Sequence, residues 1–186
     1  MQTPVEIEQT GFNGLILLKP KVYSDTRGYF TETFKHSWID SIPELQYDFV
    51  QENQSFSKKG VVRGLHFQHQ PFEQGKWVRV PYGKVLDVVV DLRKKEPTFR
   101  KVYQVVLSAE NQWQLMIPPG FAHGLSALED SVFYYKCTNV YHQLSDAGIK
   151  WNDPALKISW GIENPIVSEK DSQLPTLDYL LNNSLI

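Results

Sequence analysis

Residues 63–68, RGLHFQ, set Arg63, His66 and Gln68 among apolar residues in a stretch that reads as a β-strand. Successive strand side chains point to opposite faces, so His66 and Gln68 share one face and Leu65 and Phe67 the other. A second histidine, His123, lies in IPPGFAHGL, where proline and glycine turn the chain tightly. In FYYKCTNVY the same alternation puts Phe133, Tyr135, Cys137, Asn139 and Tyr141 on one face. Gln51 and Asn53 in VQENQ, Arg27 and Glu32 in DTRGYFTET, and Lys76 in QGKWVRV add polar groups beside apolar strand residues. Imidazole and phenol can move protons, and ammonium and guanidinium groups can hold an anion. Lining a barrel, such residues make a ligand cavity and not a hydrocarbon core. Taken singly, each also has a structural reading. A strand histidine can be hydrogen-bonded scaffold, Tyr135 a packed aromatic, and Arg63 or Lys76 a solvated rim charge. Their clustering on consecutive strands is what favours a site.

The elements that would carry these residues are short and strand-like. Residues 14–19 read as a strand ending at Pro20, and SDTRGYF (24–30) as a turn feeding a strand through Phe34. A short helix is expected near 36–41, ended by Pro43. Strand-like runs follow at 47–53, 61–68, 76–81, 84–92, 102–108, 112–117, 121–127 and 131–139, punctuated by turn signals. In VLDVVVDL, Leu86, Val88, Val90 and Leu92 share one face, and Val85, Asp87, Val89 and Asp91 the other. The tail SEKDSQLPTLDYLLNN predicts a docked helix. With no repeat or linker, the chain predicts a single all-β domain over 1–186, a barrel or sandwich with small peripheral helices.

Composition narrows the function classes. The 186 residues include 5 Trp, 9 Tyr and 10 Phe, with 11 Gly and 11 Pro, a mixture suited to a β-rich fold with many turns. A formal net charge of −2 gives no basic excess for nucleic acid. The single cysteine, Cys137, cannot form an intrachain disulfide, which favours a reducing compartment. The opening MQTPVEIEQTGFNG has no basic leader or apolar core, and no apolar run is long enough to span a bilayer. A cytoplasmic protein without membrane or nucleic-acid partners is the expectation. Pro118-x-Gly120-x-x-His123 fits the second motif of metal-dependent cupins. The first motif is missing, because His66 and His69 point to opposite faces of a regular strand and no third ligand converges with them. No metal is expected.

Read in order, RGLHFQ, QGKWVRV, GKVLDVVVDLRKKEPTF, LSAENQWQLMIPPGFAHGL, YYKCTN and WNDPALKISW resemble the dTDP-4-dehydrorhamnose 3,5-epimerase family. The resemblance runs from about residue 12 to the final helix and implies a cupin-like double-stranded β-helix, or jelly roll. It implies a homodimer that inverts carbons 3 and 5 of dTDP-4-dehydro-6-deoxy-D-glucose without metal or organic cofactor, in dTDP-L-rhamnose biosynthesis. A ketone at carbon 4 acidifies both flanking C–H bonds, so one base can serve both and an acid must return the proton from the opposite face. An imidazole with an ordinary pKa of about 6.5 suits the first task.

By resemblance His66 is the base, Tyr135 the acid, Lys76 the enolate-steadying cation and Asp171 of SEKD the carboxylate that orients the histidine. His123 lies close to the sugar. Arg27 and Arg63 resemble pyrophosphate contacts, Glu32, Gln51 and Asn53 polar contacts, and Phe30 and Tyr141 aromatics that pack against thymine. Many relatives carry two consecutive tyrosines where this chain has Asn139-Val140-Tyr141, leaving one ring for stacking. Ser168-x-x-Asp171 also reads as a helix capping box, with Asp87 as the alternative partner of His66. Arg63 has the wrong parity to share the face of His66, so it would precede the regular strand or serve a partner's site. Two other functions stay open: a 3- or 5-mono-epimerase of another deoxysugar pathway, and a non-catalytic sugar-nucleotide binding module. The presence of both His66 and Tyr135 weighs against the module, since binding alone needs neither base nor acid.

Overall fold

The structure, a computed structural model, describes residues 5–186. Residues 1–4 of the expected 1–186 domain lie outside the described residues. In chain order the strands are β1 (Val5–Gln9), β2 (Ile16–Pro20), β3 (Val22–Asp25), β4 (Gly28–Thr31), β5 (Gln51–Ser57), β6 (Val61–Gln68) and β7 (Lys76–Tyr82). They continue with β8 (Lys84–Asp91), β9 (Val102–Ser108), β10 (Gln114–Ile117), β11 (Phe121–Ala127), β12 (Ser131–Cys137), β13 (Asp146–Gly148) and β14 (Ile166–Val167). One sheet runs β1-β2-β10-β7-β12-β5; the other runs β13-β6-β11-β8-β9, with β14 added alongside β6. Pairing within the sheets is antiparallel except between β14 and β6. The hairpin β3–β4 forms a two-stranded sheet of its own.

The two large sheets face each other over an apolar layer that includes Leu15, Leu17, Val78, Val89, Leu125 and Phe133. Each sheet is also covered outside. Trp160, Leu177 and Leu180 pack on Val62, Leu65, Val88 and Val90, while Trp38 and Leu45 pack on Ile16, Leu18 and Met116. That explains the near-continuous apolar run of β8: Val85 and Val89 enter the inter-sheet layer, and Val88 and Val90 the outer one. A buried leucine or valine contributes roughly 1.5–3 kcal/mol, so both faces of this strand hold the sheets together. This is the cupin-like jelly roll with small peripheral helices that the sequence resemblance implies.

Several element boundaries differ from the sequence reading. Residues 47–53 are not one strand: pairing with β12 starts only at Gln51 and runs on to Ser57. The strand expected through Phe34 stops at Thr31 and pairs with Val22–Asp25, which alternation alone did not reveal. Helix α1 (His36–Ser41) is where it was expected. The tail is two short helices, α2 (Glu169–Ser172) and α3 (Leu177–Asn182). Pro175 lies between them and cannot donate within a helix, so Thr176 caps a new start.

Candidate active site

The site is built on an irregularity in β6. His66 pairs opposite His123, yet Arg63, three residues earlier, pairs opposite Leu125, only two residues from His123. The extra residue is a bulge, and it reverses strand parity. Arg63 and His66 therefore lie on the same face, which corrects the expectation from regular alternation. Gly64 sits at this point with φ of +113°. A Cβ there would meet the Gly124 Cα at 2.6 Å and the His123 carbonyl oxygen at 2.8 Å, so only glycine fits.

The bulge turns the Gly64 N–H toward Asp171, donating to Oδ2 at 3.0 Å. The other carboxylate oxygen, Oδ1, lies 2.7 Å from His66 Nε2. The Asp171 side chain is 5% exposed and that of His66 33%, so the carboxylate is sealed behind an imidazole that reaches solvent. Ser168 accepts the Asp171 N–H at 3.1 Å and caps α2. Asp171 thus satisfies both sequence readings, its amide serving the cap and its carboxylate the histidine. Burial pushes its carboxyl pKa up, but hydrogen bonds from His66 and Gly64 and the charges of His66 and Lys170 outweigh it and hold the group below its ordinary value. The alternative partner is excluded by position, since Asp87 bonds His123 at 2.9 Å deep in the lumen. There His123 stacks on Phe133 behind Tyr135.

His66 Nε2 being held by Asp171, the other ring nitrogen, Nδ1, is left for the cavity. That cavity, about 200 Å³, brings together His66, Lys76, Tyr135 and Tyr141 with Gln68 and Gln74. His66 comes from one large sheet, and Lys76 and Tyr135 from the other. Burial first, then Cys137, raises the Tyr135 phenol pKa against the opposing charge of Arg63, so the hydroxyl keeps its proton at neutral pH. Burial lowers the Lys76 ammonium pKa, opposed by Cys137, Asp87 and Asp146. Neighbouring Tyr134 points to the outer face, where it donates to Glu52 under the guanidinium of Arg79. Burial and Glu52 push its pKa up to about 12.

Gln51 and Asn53 border the site: Gln51 accepts the Tyr141 N–H at 2.9 Å and donates to Asn53 at 3.1 Å. An adjoining cavity of about 410 Å³ shares His66 and adds Arg63 and Asp171. The Arg63 side chain donates to Ser57 Oγ at 2.9 Å and to the Phe56 carbonyl at 3.1 Å. A larger space of about 730 Å³, lined by Arg93, Lys94 and the C-terminal residues, contains neither His66 nor Tyr135.

Arg27, Phe30 and Glu32 line neither site cavity. Among the described residues Arg27 bonds only Asp25, at its own hairpin tip, Phe30 is 64% exposed, and Glu32 pairs with Lys35. The hairpin is anchored where Gln112 donates to Tyr29 at 2.9 Å. That is the far end of the sheet, because β10 pairs Ile117, and not Gln114, with Lys76. Two residues that sequence reasoning missed, Asp146 and Lys170, do line the cavity and bond each other. Lys170 adjoins Asp171 in a motif already noted; nothing local marks Asp146. Among the described residues, no three His, Cys, Asp or Glu side chains cluster as metal ligands.

Comparison with known proteins identifies relatives over nearly the whole chain. The chain is 45% identical over 184 residues to dTDP-4-dehydrorhamnose 3,5-epimerase of Escherichia coli K12, covering 98% of this chain and 100% of that one. It superposes with a TM-score of 0.91 and 42% identity on the 3,5-epimerase of Legionella pneumophila in complex with dTDP-4-keto-L-rhamnose, over 98% of this chain and 97% of that one. The 3′-monoepimerase ChmJ of Streptomyces bikiniensis, bound to dTDP-quinovose, gives a TM-score of 0.86 at 30% identity over 94% and 89%. Residues 9–179 match the family model described as dTDP-4-dehydrorhamnose 3,5-epimerase, and the chain belongs to that family.

Proposed function

We propose that this chain is an isomerase, a 3,5-epimerase of dTDP-4-dehydro-6-deoxy-D-glucose working without metal or organic cofactor. The observation that carries the reading is the placement of His66 and Tyr135 on opposite sheets around one cavity, with Lys76 also lining it from the sheet of Tyr135. A sugar held there presents one ring face to an imidazole and the other to a phenol. The C–H bond beside the 4-keto group breaks toward His66 Nδ1, and the electron pair moves onto the carbonyl oxygen as an enolate. The charge of Lys76 steadies that oxygen, and Asp171 the imidazolium. Tyr135 returns a proton to the opposite face, inverting the carbon, and solvent then resets both groups.

The remaining ligand contacts fit a homodimer. Arg27, Phe30 and Glu32 sit on an arm that leaves its own site, and the partner's cavity is where they would meet pyrophosphate and thymine. Arg63, Gln51, Asn53, His123 and Tyr141 act in cis. The 1–186 chain works as one domain, and the lone buried Cys137 suits the reducing cytoplasm. A mono-epimerase is the second reading, favoured by the likeness to ChmJ; the higher identity to the 3,5-epimerases supports double inversion. Incubation with the 4-keto substrate in heavy water, followed by NMR, tests the choice. Deuterium and inversion at both carbons are expected, and both should vanish in His66→Ala. Inversion at one carbon alone would make this a mono-epimerase, and no exchange with retained dTDP affinity would make it a binding module.

A further inference from the structure

Gln68 closes the RGLHFQ motif, yet the mechanism above gives it no task. Its side chain is buried, 6% exposed, and reaches across from β6 to the loop between β12 and β13. There Oε1 accepts the His142 N–H at 2.8 Å, and Nε2 donates to the Val140 carbonyl at 3.2 Å. These are the peptide groups on either side of Tyr141. The amide of Tyr141 itself is held by Gln51 at 2.9 Å. The same Gln68 Nε2 also donates to the Phe72 carbonyl at 2.5 Å, and the Phe72 ring stacks on His142 at 3.7 Å and 7°. Gln74 fixes the start of the loop by donating to the Asn139 carbonyl at 2.8 Å.

The Tyr141 ring emerges from this clamp 55% exposed at the cavity mouth. Its hydroxyl meets Asp146 at 3.1 Å. An exposed tyrosine on a loop ordinarily samples several orientations, and ordering it on binding would cost affinity. Here three backbone groups flanking the ring, the Val140 carbonyl and the Tyr141 and His142 N–H groups, are fixed before any ligand arrives.

We propose that Gln68 is a positioning residue for the nucleobase, holding the Tyr141 ring as a preformed stacking platform. This rests on the reading of Tyr141 as the thymine contact. Because the Gln68 amide bonds the backbone of His142, Val140 and Phe72 and no catalytic side chain, its loss should fall on binding. Gln68→Leu keeps the bulk and removes the amide. Its dTDP Kd and substrate KM should each rise about tenfold, with kcat falling less than threefold. Gln68→Glu keeps an acceptor for His142 but loses both donations, and should lie between.

The deciding measurement is a double-mutant cycle on dTDP Kd with Tyr141→Ala, taken by calorimetry on protein verified as folded. If Gln68 acts through the ring, Gln68→Leu should have less than a twofold effect once the ring is gone. Full additivity, or lowered melting with unchanged Kd in both Gln68 variants, overturns the inference and leaves Gln68 a structural tie. Should Gln68→Leu not fold, the same cycle with Gln68→Glu decides. If Tyr141→Ala alone leaves dTDP affinity unchanged, the platform reading itself fails.

Discussion

Asp171→Asn separates the two duties of this residue more sharply than any other change. The substitution is isosteric and leaves the backbone bond to Ser168 in place. The Gly64 N–H, 3.0 Å away, needs an acceptor, so the new amide must turn its oxygen there. Its NH₂ then faces His66 Nε2 at 2.7 Å and can only donate. That ring nitrogen must become the acceptor, which moves the imidazole proton to Nδ1, the nitrogen that should receive the substrate proton. In other enzymes a forced tautomer of this kind costs about 10⁴-fold in kcat, within the span of roughly 10²–10⁴ for losing a general base. Stability should fall by only about 1 kcal/mol, the difference between a hydrogen bond to a charged and to a neutral group. The assay is deuterium entry at carbons 3 and 5 by NMR, on protein whose folded fraction is set by circular dichroism. Exchange within tenfold of wild type would refute the tautomer argument and reduce Asp171 to a helix cap.

Tyr135→Phe removes one hydroxyl and should leave proton abstraction intact while blocking return from the opposite face. Deuterium wash-in that far outpaces inversion, most clearly at carbon 5, is expected in NMR time courses; equal losses would remove Tyr135 as the acid. Gly64→Ala should lower the melting temperature sharply and abolish exchange, since the new methyl meets Gly124 and His123 backbone at under 3 Å. A folded, active Gly64→Ala protein would show that the bulge is not needed. If the β3–β4 arm crosses to the partner, mixing inactive Arg27→Ala and His66→Ala chains should restore about a quarter of wild-type activity after subunit exchange, from one intact site in each mixed dimer. No recovery in verified mixed dimers would put the arm in cis. Asp91, buried and held below its ordinary carboxyl pKa by Arg93 and Thr98 against the effect of burial, contributes stability that is present above the unfolded value of about 3.9. That stability is lost as pH falls through the lower folded value. Asp91→Asn should therefore melt lower at pH 7, with the deficit shrinking below about pH 4; a pH-independent deficit would refute the linkage.

Period-two patterning was enough to separate the lumen from the outer layers along VLDVVVDL, and to put Tyr135 inward beside Cys137 and Phe133. The ordered motifs from RGLHFQ to WNDPALKISW were enough to name the family and the candidate base, acid and cation. Alternation could not reveal that β6 gains a residue at Gly64, because the bulge arises only where β6 must follow β11. It therefore placed Arg63 on the wrong face. Nor could sequence choose between Asp87 and Asp171, each a carboxylate within reach of some histidine. The pairing that matters joins residues 105 apart, and the chain decides it by packing α2 against β6 while His123 claims Asp87 in the lumen. Asp146 stayed invisible for the same reason, being an ordinary loop carboxylate until β13 pairs with β6 and brings it to the cavity. Side-chain alternation is a local property of the backbone and can be read from neighbours. Which polar groups meet is a property of distant segments and exists only once the sheets have closed.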